Sequence, residues 1–141
     1  MKIYQENPES LKSAFTEVVC CVKSRTGKIL LLMNPRDYEW DFPKGRVKEN
    51  EDVKVAFLRV LREAIGLPTL RSQVTEVKKF FCKPRYYGGI FDCHVWTLVL
   101  DEQEIKTNAP YTDHLWLSSP EAICSLITQL HLRRFVKLIL S

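Results

Sequence analysis

The residues whose types and spacing could do chemistry lie in one stretch, residues 40–67, which reads WDFPKGRVKENEDVKVAFLRVLREAIGL. Within it, Gly45 is followed after five residues by Glu51, then after seven more by Arg59, and Glu63 comes four positions later. Hard cations such as Mg²⁺ and Mn²⁺ require oxygen ligands, which carboxylates supply. The stretch is therefore a candidate for binding such a cation.

A helix must position these charged side chains. From Asp52 to Ala64 the apolar residues recur at the 3.6-residue period of an amphipathic helix, and Gly66 with Pro68 ends it. The apolar stripe consists of Val53, Ala56, Phe57, Val60, Leu61 and Ala64. We expect this stripe to pack in the core.

Strands surround this helix in the chain. The predicted strands cover residues 16–23, 28–33, about 75–83, about 90–100 and 114–117. A short apolar stretch at 40–42 precedes the helix, and a hairpin loop at 84–89 carries Gly-Gly at its tip. Residues 118–121 open a second helix, with serine as its cap and proline at its first position, and an amphipathic segment at 130–140 closes the chain. This order predicts an α/β sandwich around a mixed sheet.

The composition is that of a soluble globular domain. The 141 residues are 45% hydrophobic and 27% charged, which excludes disorder as the default. No apolar run approaches the roughly 20 residues that cross a bilayer, and the N-terminus lacks the apolar core of a signal peptide. The net charge of +4 suits an anionic ligand such as a polyphosphate or an RNA end, although surplus lysine on a solvated surface explains it equally well.

Five cysteines are scattered along the chain without any C-x-x-C pair. Most lie in strand-like apolar stretches, where reduced cysteine packs as a small hydrophobe. This spacing argues against a disulfide framework and against a zinc site. A reducing compartment, the cytoplasm or alternatively the nucleus, is the simplest expectation.

The charged stretch resembles the Nudix box, in which a glycine, a glutamate and an Arg-Glu-apolar-x-Glu-Glu-x-Gly-apolar run follow one another at fixed spacing. The matching positions, in register over 23 residues, are Gly45, Glu51, Arg59, Leu61, Glu63, Gly66 and Leu67. The preceding Phe42-Pro43-Lys44 also matches the usual start of the box. The resemblance implies the Nudix fold, an α/β/α sandwich around a mixed β-sheet. We expect residues 1–141 to form a single domain with the box at 45–67.

The box departs from the pattern at two of the three glutamates that the resemblance makes metal ligands. Their positions hold Val60 and Ala64. Both replacements extend the apolar stripe, so this helix face is expected to be core rather than a metal site. The implied ligands that remain are Glu63 and the Gly45 carbonyl, for Mg²⁺ or Mn²⁺ if the protein is active. Otherwise no cofactor is expected.

The resemblance also assigns roles to other charged residues. Glu51 and Glu63 are the catalytic candidates, with Glu51 in a supporting role, and Arg59 is implied to orient the loop through an ion pair. Family members often supply a further carboxylate before a tryptophan-bearing strand. Here Pro110 stands at that place, and Asp113 is the nearest substitute, for which an exposed loop position is the favoured interpretation.

Basic and aromatic residues provide candidate ligand-binding groups. They are Arg36, Lys44, Arg46, Lys79, Lys83, Arg85, Tyr86 and Tyr87. Aromatic surfaces interleaved with basic groups hold unpaired nucleotides. Strand alternation predicts that Lys79, Phe81 and Lys83 share one sheet face. Trp96 is favoured as core, whereas the two tyrosines fit either base stacking or a hairpin tip.

Three functional hypotheses follow. The favoured one is a Nudix-like module that binds a nucleotide, a polyphosphate, an RNA or a protein partner with little or no hydrolysis. The alternative is an active Mg²⁺-dependent hydrolase of a diphosphate linkage in a dinucleoside polyphosphate, an RNA 5′ end or an inositol diphosphate. A weaker third is a structural subunit that uses the apolar surface of segment 130–140, which an ordinary closing helix explains better. No membrane or DNA partner is expected.

Overall fold

A computed structural model describes residues 12–36, 38–66, 77–86, 88–99, 111 and 113–140. The predictions for Leu67, Tyr87 and Pro110 lie outside these residues. The strands are β1 (Thr16–Lys23), β2 (Ile29–Asn34), β3 (Glu39–Asp41), β4 (Lys44–Arg46), β5 (Val77–Cys82), β6 (Arg85–Tyr86), β7 (Gly89–Ile90), β8 (Asp92–Val99) and β9 (Asp113–Leu117). The helices are α1 (Val53–Ile65), α2 (Pro120–Leu126) and α3 (Leu130–Phe135), and a π-helical segment, Val136–Leu140, continues α3.

Seven of the strands within the described residues form one mixed sheet. Its central path runs β3-β2-β1-β8-β5, with β4 beside β1 and β9 beside β2. β1 and β8 are parallel, whereas the other pairs are antiparallel. The remaining two strands, β6 and β7, form a small hairpin inside the predicted 84–89 loop.

Helices cover both faces of the sheet, as the burial of the central strand β1 shows. Its residues from Val18 to Val22 are all fully buried, as expected of a central strand enclosed on two sides. Val18, Cys20 and Val22 pack in one core cluster with the stripe of α1. The alternate residues, Val19 and Cys21, pack in a second cluster with α2, α3 and the π-helical segment. The predicted α/β/α sandwich is therefore confirmed.

The helix ends follow from local chemistry. Asp52 caps α1 by accepting a hydrogen bond from the Lys54 amide, and Gly66 ends the helix in the left-handed region at φ 67°. Ser119 caps α2, with Pro120 at the first helical position, as predicted. All five cysteines are free thiols, and three of them are buried. None of the helices in the described residues could span a membrane.

Candidate functional site

Arg59 fastens the loop after β4 to α1. Its Nε donates to Glu51 Oε2 at 2.8 Å, and its Nη2 donates both to Glu51 Oε1 at 3.0 Å and to the Arg46 carbonyl at 2.8 Å. Glu51 Oε1 also accepts from the Lys48 amide at 2.9 Å. These hydrogen bonds, above all those from Arg59, lower the pKa of Glu51 to about 2. The arrangement matches the loop-orienting ion pair that the sequence implied, and it leaves Glu51 as an ionised support of the loop. A catalytic part for Glu51 stays a prediction.

Glu63 is the one carboxylate of α1. Its side chain is 58% exposed and forms a 3.1 Å ion pair with Arg59 Nη1. The carboxylate therefore remains open to solvent, and its predicted part in metal binding rests on the Nudix box resemblance.

Val60 and Ala64, at the two positions where the box pattern has glutamates, are core residues. Their exposures are 4% and 3%, and both belong to the cluster under α1. A Cβ built at Gly45 would lie only 2.8 Å from Val60 Cγ2, so this methyl packs directly on the Gly45 backbone. Beside Gly45, aliphatic carbon thus occupies space where cations would need oxygen ligands. The residues that α1 presents do not fit a site for two or three divalent cations.

Lys44 and Asp41 form a second charged group at the start of β4. Lys44 Nζ and Asp41 Oδ2 are 2.7 Å apart, and about a fifth of each side chain is exposed. Burial raises the pKa of Asp41, and Lys44 opposes that shift. Burial likewise raises the pKa of the nearby Glu17 carboxyl, again against Lys44. Lys44, predicted to bind ligand, is thus already engaged by a carboxylate.

Arg46 joins an aromatic cluster that sequence reasoning missed. Its guanidinium carbon lies 3.7 Å from the centroid of the Phe15 ring. Phe15 stacks on Phe91 at 4.7 Å, and the Tyr86 ring meets the edges of this pair at 5.4 and 5.8 Å. The predicted residues Arg46 and Tyr86 are therefore brought together through Phe15. The sequence signal that could have identified Phe15 is its position directly before β1.

A cleft of about 790 Å³ lies between this cluster and α3. Its lining is Lys83, Pro84, Arg85, Tyr86, Ile90, Phe91, Gln129, Leu130, His131 and Arg134. We call it the basic–aromatic cleft. Three of the predicted ligand-binding residues, Lys83, Arg85 and Tyr86, line it, and α3 adds Arg134. Lys83 is partly neutralised because its Nζ contacts Asp92 Oδ1 at 2.9 Å.

His131 forms part of the cleft wall and is neutral at neutral pH. Burial, with a smaller contribution from Lys44, lowers its pKa to about 4. Its ring meets the face of Phe91 at 5.7 Å. His131 Nε2 and Gln129 Oε1 are buried and lack a hydrogen-bond partner among the described residues. Such unpartnered atoms are costly, which makes them natural contacts for a ligand.

Two other predicted basic residues lie away from this cleft. Lys79 Nζ sits 4.5 Å from the Trp96 ring, which is buried under α1 and so confirms Trp96 as core. Phe81 is 53% exposed and contacts His94, whereas Phe80 packs in the opposite cluster, so the predicted alternation is confirmed for Lys79 and Phe81. Lys83 follows the end of β5 and lines the cleft. Arg36 is exposed after β2, outside the cleft lining.

Asp113, the candidate for a further carboxylate, begins β9. Its side chain is exposed, and Oδ1 accepts from the His114 amide at 2.8 Å. The exposure that the favoured interpretation predicted is confirmed, whereas the loop position is wrong, because Asp113 pairs with Met33 as the first residue of β9.

Comparison with known proteins gives a consistent family and fold. The NUDIX domain family model matches residues 15–136. The CTP pyrophosphohydrolase of Escherichia coli is 38% identical over 85 residues, which are 57% of this chain and 59% of that protein. The chain spans roughly a third to three fifths of the length of the curated relatives it matches.

Solved structures agree with this fold. A Caenorhabditis elegans Ap4A hydrolase binary complex superposes with a TM-score of 0.74 at 16% identity, over 88% of this chain and 93% of that one. The NUDIX domain of Shewanella oneidensis NrtR, complexed with ADP ribose, gives a TM-score of 0.69 at 17% identity, over 99% and 96% of the two chains. At these identities the likeness concerns the fold.

Proposed function

The chain belongs to the NUDIX domain family, and from that premise we propose that it binds a nucleotide or another polyphosphate-bearing molecule with little or no hydrolysis. The ligand occupies the basic–aromatic cleft. Pyrophosphohydrolases are among the relatives of the chain, and solved NUDIX structures include one complexed with ADP ribose. These likenesses support the ligand class, and the geometry beside Gly45 supports the loss of hydrolysis.

The observation that carries the proposal is the contact between Val60 and Gly45. The Val60 methyl fills the space beside the Gly45 backbone, and Ala64 continues the same buried surface. Glu63 alone supplies too little negative charge to hold the cations that would neutralise a diphosphate. The loss of such electrostatic stabilisation costs several kcal/mol in the transition state, which amounts to orders of magnitude in rate.

The basic–aromatic cleft supplies complementary groups for a nucleotide. Tyr86 and Phe91 offer aromatic surfaces for a base, while Lys83, Arg85 and Arg134 offer positive charge for phosphates. A volume of about 790 Å³ lies within the range of small-molecule sites. An RNA end shares this chemistry, and a cleft of this volume accommodates a small nucleotide.

Binding is tested by calorimetry with CTP, ADP-ribose and a dinucleoside tetraphosphate as probes. We expect at least one probe to bind and Arg134→Ala to weaken it about tenfold, because a charge-assisted hydrogen bond contributes about 1.4 kcal/mol or more. Arg62→Ala is the matched control, since Arg62 lies exposed in the last turn of α1. Absence of binding by all probes, or an equal loss in both variants, would contradict the proposal.

The second candidate function is Mg²⁺- or Mn²⁺-dependent hydrolysis of a diphosphate linkage. The exposed Glu63 and the 38% identity to a CTP pyrophosphohydrolase favour it. The discriminating assay incubates the same probes with millimolar Mg²⁺ or Mn²⁺ and compares wild type with Glu63→Gln. Glu121→Gln, on the exposed first turn of α2, is the control. Turnover that only Glu63→Gln abolishes would establish the hydrolase, whereas equal inertness of all three proteins supports binding without hydrolysis.

A further inference from the structure

Three potential metal ligands from distant parts of the chain converge on the sheet face that α2 and α3 cover. They are Glu17 on β1, Cys93 on β8 and His131 on α3, and their ligand atoms all lie within 4.8 Å of one another. Glu17 and Cys93 are direct partners in the parallel β1–β8 pairing, which places their side chains on the same face. His131 reaches them from the helix packed above. This is the face opposite α1, so the group is separate from Gly45 and Glu63.

Two atoms of this group have unsatisfied hydrogen-bonding capacity. Glu17 Oε1 and His131 Nε2 are both buried and have no hydrogen-bond partner among the described residues. Leaving such an atom buried and unpaired is unfavourable. Glu17 and His131 each also offer one atom to the group within 4.8 Å, and a carboxylate oxygen and an imidazole nitrogen are both atoms that a cation can use.

A second thiol adjoins the group. Cys82 is the direct partner of Cys93 in the antiparallel β5–β8 pairing. Both cysteines pack on the same face of the sheet, against the same core cluster. Cys82 thus adjoins the three residues whose ligand atoms lie within 4.8 Å of one another.

We propose that Glu17, Cys93 and His131 bind one Zn²⁺ ion, with the neighbouring Cys82 as the fourth ligand. Zinc favours tetrahedral sites of thiolate, imidazole and carboxylate, with ligand distances of about 2.0–2.3 Å. Ligand atoms of such a site lie roughly 3.5 Å apart, so side-chain shifts of about 1 Å would close the present arrangement. Thiolate and imidazole ligands disfavour Mg²⁺ and Ca²⁺, which take oxygen ligands.

The surrounding charges are compatible with a cation. Lys44 acts on Glu17, Cys93 and His131, and its ammonium is paired with Asp41 at 2.7 Å. Arg46 also acts on Glu17, and its guanidinium lies over the Phe15 ring. Bound zinc would join α3 to β1, β5 and β8. It would thereby fix the wall of the basic–aromatic cleft that His131 forms, and stabilise the folded chain.

The test uses the full chain, reduced and stripped of metal by a chelator. Zn²⁺ is titrated against a chromophoric chelator, and Co²⁺ replaces it for absorption spectroscopy. We expect one equivalent of Zn²⁺ to bind and to raise the unfolding temperature. The Co²⁺ protein should show a thiolate charge-transfer band and the intense visible bands of tetrahedral geometry.

Variants identify the ligands. We expect Cys93→Ser and His131→Gln each to weaken Zn²⁺ binding by at least about 100-fold, since even residues behind the ligands contribute 10–100-fold. Cys124→Ser is the matched control, because that thiol contacts the Arg133 carbonyl and is not one of the residues whose ligand atoms converge, so the variant should leave binding unchanged. Circular dichroism checks the fold of each variant, and His131→Gln provides the ligand loss if Cys93→Ser fails to fold.

Three results would overturn the proposal. They are the absence of zinc binding to wild type, equal binding by Cys93→Ser and wild type, or an octahedral Co²⁺ spectrum without a thiolate band.

Discussion

The contact between Val60 and Gly45 can be measured as a coupling energy. A methyl added at Gly45 would lie 2.8 Å from Val60 Cγ2, whereas carbon atoms in contact favour about 3.5–4.0 Å. Val60 is 4% exposed. The hydrogen bonds from Arg59 to Glu51 and to the Arg46 carbonyl hold α1 against the loop after β4, so neither the Val60 side chain nor the Gly45 backbone can shift freely. We expect Gly45→Ala to lower the free energy of unfolding by about 1–3 kcal/mol through overpacking.

Val60→Ala alone should cost about 2 kcal/mol, because it deletes two buried methyl groups and leaves a cavity. In the Gly45→Ala/Val60→Ala double variant the clash is gone, and the new methyl partly refills that cavity. The double variant should therefore be about 1–2 kcal/mol more stable than the sum of the single effects predicts.

Urea unfolding followed by tryptophan fluorescence measures all four proteins, with unchanged m-values as the check on two-state behaviour. Gly27→Ala is the control, because an added Cβ there has nothing within 4 Å and meets only the strain of φ +91°. In a Gly27→Ala/Val60→Ala double variant, the two changes in the free energy of unfolding should add. Additivity of the Gly45 and Val60 effects within about 0.5 kcal/mol would refute the packing described here.

Three further predictions concern charged groups. The pKa of His131 is about 4 in the fold and about 6.5 in the unfolded chain, so the unfolded chain binds the extra proton between these values. Stability should thus fall as pH drops from about 6.5 to 4, by about 2 kcal/mol more in wild type than in His131→Gln, as urea titrations at each pH measure. Equal pH profiles of the two proteins would contradict this. Glu51, with its pKa lowered to about 2, should contribute stability above its unfolded pKa of about 4.3 and lose it as pH falls towards 2. Arg59→Lys should lower the unfolding temperature at pH 7 and raise the pKa of Glu51, as measured by NMR titration. Lysine cannot reproduce the hydrogen bonds that the Arg59 guanidinium donates to Glu51 and to the Arg46 carbonyl. Arg62→Lys should change neither the unfolding temperature nor this pKa, and an unchanged Glu51 pKa in Arg59→Lys would contradict the proposed role of Arg59.

The elements of the fold could be predicted where the signal is local. The 3.6-residue stripe with Asp52 and Gly66 predicted α1 to within one residue at each end, because capping and periodicity are properties of neighbouring positions. The serine cap before Pro120 was equally local. The sequence predicted a hairpin loop at 84–89 but not its two short strands, β6 and β7, since two-residue strands carry no period.

The functional surfaces depend on contacts between distant residues. The alternation of side chains along β5 correctly placed Lys79 and Phe81 on the sheet face opposite Phe80. It could not show that the basic–aromatic cleft would lie on the side of the sheet that α3 covers. The argument against a zinc site rested on cysteine spacing alone. The proposed ligands come from β1, β5, β8 and α3, and only the parallel β1–β8 pairing brings Glu17 beside Cys93.

The rate of diphosphate cleavage before and after restoring the two glutamates tests the central claim most directly. Wild type and Val60→Glu/Ala64→Glu are compared with CTP and a dinucleoside tetraphosphate in millimolar Mg²⁺, after circular dichroism has confirmed that the variant folds. The account predicts a wild-type rate near background and a rate at least about 100-fold higher in the variant, the size of effect that single electrostatic contacts have on catalysis. Efficient cleavage by wild type, with no gain in the folded variant, would contradict it.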